Sequence, residues 1–448
     1  MELFRIRSLY NAEISILNPK GRNQSLYPLA AAAILRLAAL PFISTAKPAL
    51  MEYGVIARNL LSGLGYSFTW LHTNGSTVIL PTAYMPPGQV FIQYFFLSLF
   101  GDTTAGMLSL YIFQIVQACL AIYLIGRITD LLFQSKKITI TTLWLAAIYP
   151  PFIYVTMTFG VTSSALLLNA FLLYIGIRFS RALRTGEEYK KFALLFGVGC
   201  GLLLLFRGEA PVIVASSLVL LLYINRKFFR RSFTSICIAA LVAAAILAPW
   251  TIRNYLAFDR FVAISTNGGF NFWRGNNAIT TGSPWSESGG PIWSTDEIWA
   301  QIEPHLDRHE DYDKINSEIH QREAMKWIRE NPGSAALLSL KKALILWTID
   351  TRSIMGGTFA YISIYIVTLA SLLAGIYMIR KKKIWSASPD AKAGFSLMIL
   401  WCLVMTLTCM VFFPLPRFQV LLVGIYFPVI GFAISELIGK FLQRSRQA

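Results

Sequence analysis

The chain has 448 residues, of which 55% are hydrophobic and only 14% are charged. A soluble globular protein carries about 25% charged residues, so this composition excludes a soluble chain and indicates a polytopic membrane protein. The net charge of +17 does not indicate nucleic-acid binding, because no basic helix or aromatic-basic module is present. Basic residues collect instead in short loops, as they do on the cytoplasmic side of membrane proteins.

About ten apolar segments are long enough to be predicted as membrane-spanning helices, each of which needs roughly 20 residues. They are Tyr27–Ser44, Gly106–Gly126, Ile138–Val155, Thr162–Arg178, Phe192–Phe206, Ala210–Ile224, Phe233–Trp250, Phe359–Ile379, Gly394–Phe413 and Phe418–Ile438. With these spans, every basic cluster falls on one face of the membrane. The positive-inside rule makes that face cytoplasmic. Both termini are then expected in the cytoplasm, and residues 45–105 and 251–357 form loops on the periplasmic side.

Two further apolar pieces, Val90–Phe100 and Ala335–Trp347, are too short to cross a bilayer. We predict that both are helices that lie in the membrane interface. Residues 251–357 are too few for an independent enzyme domain, and no internal repeat is visible. The predicted fold is therefore all-α. It is one integrated membrane body over residues 1–448 with a small helical and loop cap.

The loop at residues 45–105 contains the main catalytic candidate, Glu52. It precedes an apolar-periodic run typical of a short helix, and Asp102 is the only other acid in the loop. A lone carboxylate at the membrane edge can accept a proton from an acceptor hydroxyl or amine, as a general base does. The alternative is a carboxylate that only stabilises the start of its helix through the helix dipole.

The same loop offers four more polar side chains and a rigid turn. Arg58 lies six positions after Glu52 and does not share its helical face, so it either binds a phosphate or snorkels to the headgroups. In PTAYMPPG the prolines restrict the backbone, which would aim Thr82 and Tyr84 toward a cavity. Tyr53, next to Glu52, is a further pocket candidate.

Arginines that lie at membrane depth form the second group of candidates. Arg207 and Glu209 belong to RGEAP, a tight turn between two apolar runs. Charged residues at such depth usually face a cavity or a partner. Arg207 therefore either holds the phosphate of a lipid carrier, for which the guanidinium fork is suited, or pairs with Glu209. Arg417 in FPLPRF and Arg36 in the first span are weaker candidates, and Arg36 could instead help to pack the bundle.

The start of the longer periplasmic loop is rich in glycine, asparagine and tryptophan. We predict an ordered loop at Asn267–Asn277, preceded by PWTIRNY. Asparagine amides and aromatic faces suit the hydroxyls and C–H surfaces of a sugar, and glycines let backbone approach a ligand. The alternative is a turn without a ligand. The pocket candidates here are Arg253, Asn254, Arg274 and Asn276.

Metal and nucleotide sites are not indicated. The five cysteines lie in apolar runs without a CxxC spacing. His305 and His309 share a helical face but lack an HExxH pattern, and the acids beside them, including Asp313, are typical of a solvated surface. No P-loop or catalytic Ser/His/Asp set is visible. No cofactor is needed if arginines neutralise a phosphate, and a divalent cation is the alternative.

Taken together, these motifs resemble a known family. The order is the acid before IA-R-NL, then GLGYS, PTAYMPPG, FRGEAP, APWTIRNY, GGFNFWRGNN and PLPRF. This set is similar to bacterial glycosyltransferase family 39-like proteins, which are related to dolichyl-phosphate-mannose-protein mannosyltransferases of the GT-C superfamily. The lipid A aminoarabinose transferase is a more distant relative. Many members have an Asp-Glu pair where this chain has Ala49 and Leu50, so Glu52 is the only local acid.

The resemblance implies a glycosyltransferase of the bacterial inner membrane. Such proteins move a sugar from a polyprenyl-phosphate carrier to a protein, lipid or glycan acceptor on the periplasmic face. The family's catalytic acid corresponds to Glu52, and its phosphate-binding arginines correspond to Arg207 and Arg417. One alternative is a lipid-carrier transporter or flippase in which Arg36, Arg207 and Arg417 line a path, although no repeated halves support it. A surface-glycan polymerase or ligase is another.

Overall fold

The computed structural model describes residues 19–43, 50–286, 290–306, 312–352 and 357–447. The regular secondary structure of this part of the chain is helical, apart from one two-stranded antiparallel sheet of β1 (Ser67–Leu71) and β2 (Thr77–Pro81) and an isolated bridge between Trp285 and Pro291. Its α-helices are, in chain order, α1 (Pro19–Ile43), α2 (Met51–Leu61), α3 (Pro87–Phe100), α4 (Thr104–Phe133), α5 (Lys136–Ile148), α6 (Pro150–Thr156), α7 (Thr162–Thr185), α8 (Tyr189–Phe206), α9 (Ala210–Ile224), α10 (Phe229–Phe258), α11 (Gly268–Gly275), α12 (Asp296–Ile302), α13 (Tyr312–Glu330), α14 (Pro332–Trp347), α15 (Phe359–Lys381), α16 (Pro389–Val411) and α17 (Pro416–Gln447).

Seven of the described helices are long and apolar enough to cross a membrane. An eighth span results if α5 and α6 are counted together, although the two are bent by 52° at a break. The break follows from Pro150 and Pro151, because proline cannot continue the backbone hydrogen bonding of a helix. The prediction of one continuous helix over Ile138–Val155 is therefore wrong, since two helices occupy this range. The two other predicted spans correspond to α1 and to the 15-residue α9, and neither of these is among the seven helices.

The membrane bundle has one large apolar core to which α7 and α17 contribute most of their length. Close packing of α8 on α10 depends on small residues. A Cβ at Gly197 of α8 would lie 2.6 Å from the carbonyl oxygen of Ala239 in α10. Only glycine permits this backbone approach. The two short apolar pieces form the helices α3 and α14, and their position in the membrane interface stays a prediction.

The first loop contains structure that the sequence interpretation missed. Residues 67–81 form the β-hairpin, with Trp70 opposite Val78. The signal was present as two runs of β-branched and aromatic residues around the turn His72–Ser76. The short helix predicted after Glu52 is present as α2.

The described residues between α10 and α15, which we call the cap, cover the same end of the bundle as the hairpin. Their apolar core joins Leu80 of β2 to Trp273, Ile302 and Tyr312 of the cap. The predicted ordered loop at Asn267–Asn277 is largely the helix α11, because Phe270 and Trp273 share one buried face. PWTIRNY continues α10 as far as Phe258 and is not part of a loop.

Candidate active site

A cavity of about 1000 Å³ lies where the cap meets the membrane helices. Its walls come from α2, the turn after β2, α7, the α8–α9 turn, α11, α13, α16 and α17. It brings together seven of the residues predicted from the sequence, which are Glu52, Tyr53, Tyr84, Arg207, Glu209, Arg274 and Arg417.

Glu52 reaches the cavity from the first turn of α2. The chain turns sharply before it, because Met51 adopts a left-handed conformation with φ of 54°. The turn folds Leu50 over Gly54, where a Cβ would lie only 1.9 Å from the Leu50 Cβ. Gly54 is therefore required for this entry into the helix. Among the described residues, the half-buried Glu52 carboxylate has no hydrogen-bond or ion-pair partner.

Two tyrosines flank the Glu52 carboxylate. Burial is the main cause that raises the pKa of Tyr53, and the nearby Glu52 raises it further, while Arg417 and Arg207 oppose the shift. Burial also raises the pKa of Tyr84, with Glu52 the next largest contribution. Both hydroxyls are therefore neutral at physiological pH and can donate a hydrogen bond to a ligand.

Arg207 lies in the turn between α8 and α9. Its extended backbone ends α8, and Pro211 restarts the chain as α9. The buried guanidinium pairs with Glu209 and lies 4.8 Å from the centroid of the Phe418 ring. The predicted ion pair therefore forms, and both of its residues line the cavity. Phosphate binding by Arg207 stays a prediction.

Arg417 approaches the same ring from the start of α17. Its guanidinium lies 5.6 Å from the Phe418 ring centroid, which places Arg417 and Arg207 on one aromatic side chain. Its Nε is buried and has no hydrogen-bond partner. In the described part of the chain, Arg417 forms no ion pair. An unpaired guanidinium in a cavity can bind an anion.

Arg274 of α11 completes the positive side of the cavity. Its guanidinium lies over three rings, those of Phe270, Trp293 and Phe413, at 5.4 to 5.8 Å. Burial lowers its pKa, Tyr84 and Glu52 raise it, and Arg417 lowers it as a nearby like charge. Arg274, Arg417 and Glu52 are therefore close enough to influence one another.

Five predicted site residues do not line the cavity. Arg58 is exposed and pairs with Asp102 at 2.7 Å. Arg253 donates to the carbonyl oxygens of Thr82 and Tyr66, each at 2.8 Å, and so supports the turn after β2. The other three are buried: Thr82 donates to the Asp313 carboxylate, and Asn254 and Asn276 donate to backbone carbonyl oxygens.

Arg36 also lies away from the cavity. It is fully buried. Its guanidinium donates to the carbonyl oxygens of Ala32 and Ala147 at 3.0 and 3.1 Å. These contacts join α1 to α5, so the structure favours the packing interpretation of Arg36.

The interpretation of Asp313 as a solvated surface acid is wrong. Asp313 is only 6% exposed. Its Oδ2 accepts hydrogen bonds from Thr82 Oγ1 at 2.6 Å, from the Ala83 backbone N–H at 2.8 Å and from Thr266 Oγ1 at 3.1 Å. Burial raises the pKa of this carboxyl, while the three donors lower it. Asp313 therefore fastens α13 of the cap to the turn that carries Tyr84.

Several cavity residues were missed by the sequence interpretation. The cap contributes Trp293, Lys314, Ser317 and Glu318, and α7 contributes Asn169. Asn169 had a visible signal, since it is a polar residue within an apolar run. The cap residues had no such sequence signal, because charged helices usually face water.

Among the described residues, no group of three or more His, Cys, Asp or Glu side chains could hold a metal ion. His309 lies outside the described residues.

Comparison with known proteins agrees with this architecture. Residues 84–252 match the family model described as dolichyl-phosphate-mannose-protein mannosyltransferase. No curated protein matches the chain. Among solved structures, the oligosaccharyltransferase AglB from Archaeoglobus fulgidus, in complex with an inhibitory peptide and a dolichol-phosphate, is 13% identical with a TM-score of 0.53. That match covers 94% of this chain and 51% of AglB.

Two further structures are similar. The same oligosaccharyltransferase with zinc and sulfate is 14% identical with a TM-score of 0.53, covering 93% of this chain and 50% of that one. ArnT from Cupriavidus metallidurans, bound to undecaprenyl phosphate, is 13% identical with a TM-score of 0.42, covering 90% and 77%. The chain thus spans about half the length of AglB. The protein is a multi-pass membrane protein with the GT-C fold, and its resemblance to the dolichyl-phosphate-mannose-protein mannosyltransferase-related family is confirmed over residues 84–252.

Proposed function

We propose that the protein is a membrane glycosyltransferase that moves a sugar from a polyprenyl-phosphate carrier to an acceptor on the periplasmic face of the bacterial inner membrane. The observation that carries this proposal is the composition of one cavity. Glu52 lines it together with Arg207, Arg274 and Arg417. A carboxylate and a set of guanidinium groups are the two functions that transfer from a phosphate-linked sugar requires.

In the proposed reaction, an acceptor hydroxyl or amine gives its proton to Glu52 and attacks the anomeric carbon. The bond from that carbon to the phosphate oxygen breaks, and both electrons leave with the polyprenyl phosphate. The configuration at the anomeric carbon inverts, because attack and departure occur on opposite faces. Arg417 and Arg207 stabilise the charge that develops on the leaving phosphate. With arginines neutralising the phosphate the step needs no metal ion, and a divalent cation in their place is the alternative.

Access for the lipid is consistent with the apolar side chains at the cavity edge. Val212 of α9 and Leu407 of α16 line the cavity and are also 55% and 51% exposed. Both helices belong to the apolar bundle, so these side chains would meet hydrocarbon. The isoprenoid chain of a polyprenyl phosphate can lie against these side chains while its phosphate reaches the arginines.

The polar rim on the cap side suits the transferred sugar or the acceptor. Trp293 lines the cavity and is 62% exposed, so it offers an aromatic face to C–H groups. Asn271 and Glu318 lie on the same rim and can hydrogen-bond to hydroxyls. AglB has been solved with a peptide and a dolichol-phosphate, which supports a lipid-phosphate donor without identifying the acceptor here.

The test is transfer by the purified full-length protein from a panel of undecaprenyl-phosphate sugars to cell-envelope acceptors. Glu52→Gln should lower turnover at least about 100-fold while donor binding stays within about twofold. Asp102→Asn is the matched control, because it removes the only other acid of that loop and should preserve turnover. Near-normal turnover in Glu52→Gln would refute the role of Glu52. Passage of the lipid across a vesicle membrane without release of sugar would favour the transporter instead.

A further inference from the structure

A fully buried lysine lies beside the positive side of the cavity and has no part in the proposed reaction. Lys342 of α14 is 0% exposed. Its Nζ donates to Asn276 Oδ1 at 2.9 Å and to the Met410 carbonyl oxygen at 3.3 Å. A buried ammonium group is costly unless it is paired and hydrogen-bonded, because it loses its hydration.

The partners of Lys342 lie at the ends of two different helices. Asn276 follows α11, and its Nδ2 donates to the carbonyl oxygens of Phe272 and Val411, both at 2.8 Å. Met410 and Val411 are the last two residues of α16. Their carbonyl groups have no partner within the helix and form the negative end of its dipole. Lys342 and Asn276 therefore cap α16 and join it to α11.

This junction lies between two of the cavity arginines. Arg274 is two residues before Asn276, and the segment after Val411 leads through Phe413 to Arg417. The Arg274 guanidinium lies 5.4 Å from the Phe413 ring centroid. Burial is the main cause that lowers the pKa of Arg274, and Arg417 lowers it further as a nearby like charge.

We propose that Lys342 is a positioning residue that holds Arg274 and Arg417 at the spacing needed to bind the phosphate of the lipid donor, by clamping α11 to the end of α16. The inference rests on the proposed function of the cavity. Lys342 does not line the cavity and acts through Asn276 and the α16 terminus. Its charge matters in two ways, because it strengthens both hydrogen bonds and adds positive potential beside the anion site.

Lys342 also changes its charge within a pH range that can be tested. Burial lowers its pKa to about 8, and the Cys409 thiol of α16 opposes the shift. The charged side chains near this junction include Arg274 of α11 and Arg417 of α17. Raising the pH through 8 to 9 should therefore neutralise Lys342 and weaken the clamp.

The experiment measures the dissociation constant of undecaprenyl phosphate for the full-length protein in nanodiscs at pH 7 and pH 9. Lys342→Gln should raise this constant about tenfold at pH 7, equivalent to about 1.4 kcal/mol, and should make it insensitive to pH. The wild-type constant should rise several-fold at pH 9. The phosphate gains charge over this range, which would strengthen binding, so a loss must come from the protein.

Two further variants separate the clamp from general effects. Lys341→Gln changes the neighbouring exposed lysine of the same helix and should behave as wild type. Lys342→Arg keeps a permanent charge and should bind well at both pH values. Equal binding by Lys342→Gln and wild type, or a wild-type constant that is the same at pH 7 and pH 9, would overturn the inference. The pH comparison uses the wild-type protein, so it holds even if Lys342→Gln does not fold. No binding of the lipid phosphate by wild type at either pH would overturn the proposed function and the inference together.

Discussion

Gly275 and Phe412 approach so closely that a Cβ at residue 275 would lie 1.8 Å from the Phe412 carbonyl oxygen. The contact is backbone to backbone, so no flexible side chain can yield. It lies beside the Lys342–Asn276 junction and brings the end of α11 against the end of α16. The relative position of Arg274 and Arg417 therefore depends on the absence of a side chain at Gly275.

Replacing Gly275 by alanine tests this contact. Gly275→Ala should destabilise the protein by about 2 kcal/mol or more, because the backbones must move apart, and should weaken donor binding. Thermal unfolding in detergent and the binding of undecaprenyl phosphate measure the two effects. Gly333→Ala is the control, since a Cβ at Gly333 meets no atom within 4 Å and alanine favours its helix. If Gly275→Ala unfolds at the wild-type temperature and binds undecaprenyl phosphate as wild type does, the close approach is contradicted.

Replacing Arg207 and replacing Arg417 should have different effects on protein stability. Arg417 has no ion pair among the described residues, whereas Arg207 neutralises Glu209. Arg417→Gln should therefore raise the donor KM about tenfold or more with an unchanged unfolding temperature. Arg207→Gln should raise KM and also lower stability by about 1–3 kcal/mol, because it leaves a part-buried carboxylate unpaired. Arg58→Gln, which breaks only the exposed pair with Asp102, should change neither quantity. A donor KM in Arg417→Gln equal to that of Arg58→Gln would remove Arg417 from the site.

Replacing Asp313 should lower both the stability of the protein and its turnover. Asp313→Ala leaves the Thr82 hydroxyl, the Ala83 N–H and the Thr266 hydroxyl without their acceptor. We expect a loss of about 2–4 kcal/mol in the free energy of unfolding and lower turnover through displacement of Tyr84. Asp313→Asn keeps an acceptor oxygen and should lose less. Denaturant unfolding measures the difference, and equal losses in the two variants would contradict the hydrogen-bond assignment.

The same carboxyl predicts a pH dependence. Burial raises the pKa of Asp313, so the folded protein binds this proton more tightly than the unfolded chain. The contribution of Asp313 to stability therefore falls as the pH rises from the unfolded pKa of about 3.9 through the raised folded value. Wild type should gain stability relative to Asp313→Asn on acidification, as measured by unfolding of both proteins between pH 4 and pH 7. A difference that stays constant over this range would contradict the shift.

Lys342 should give stability and binding opposite responses to pH. Its pKa is about 8 in the folded protein and about 10.4 in an unfolded chain. The unfolded state therefore binds more protons between these values, and the stability of wild type should rise with pH relative to Lys342→Gln. Donor affinity should fall over the same range. Stability and affinity that decrease together from pH 8 to pH 9.5 would indicate general alkaline unfolding and not a clamp.

Local features of the sequence were sufficient for the class of protein and for parts of the site. Apolar length predicted a polytopic helical protein, since a helix must satisfy its backbone hydrogen bonds within the bilayer. The periodic run after Glu52 predicted α2, and the charged turn RGEAP predicted that Arg207 and Glu209 interrupt two apolar helices. Each of these conclusions depends on residues that are neighbours in the chain.

Only the tertiary structure decided which side chains meet. Glu52, Arg207, Arg274 and Arg417 come from four distant stretches, and their convergence depends on how the cap packs on the bundle. Asp313 and Lys342 have the sequence pattern of surface residues, yet both are buried because donors or acceptors from remote segments compensate their charges. Hydropathy and periodicity report the local environment that a residue type prefers, whereas burial of a charge depends on partners that no local pattern contains.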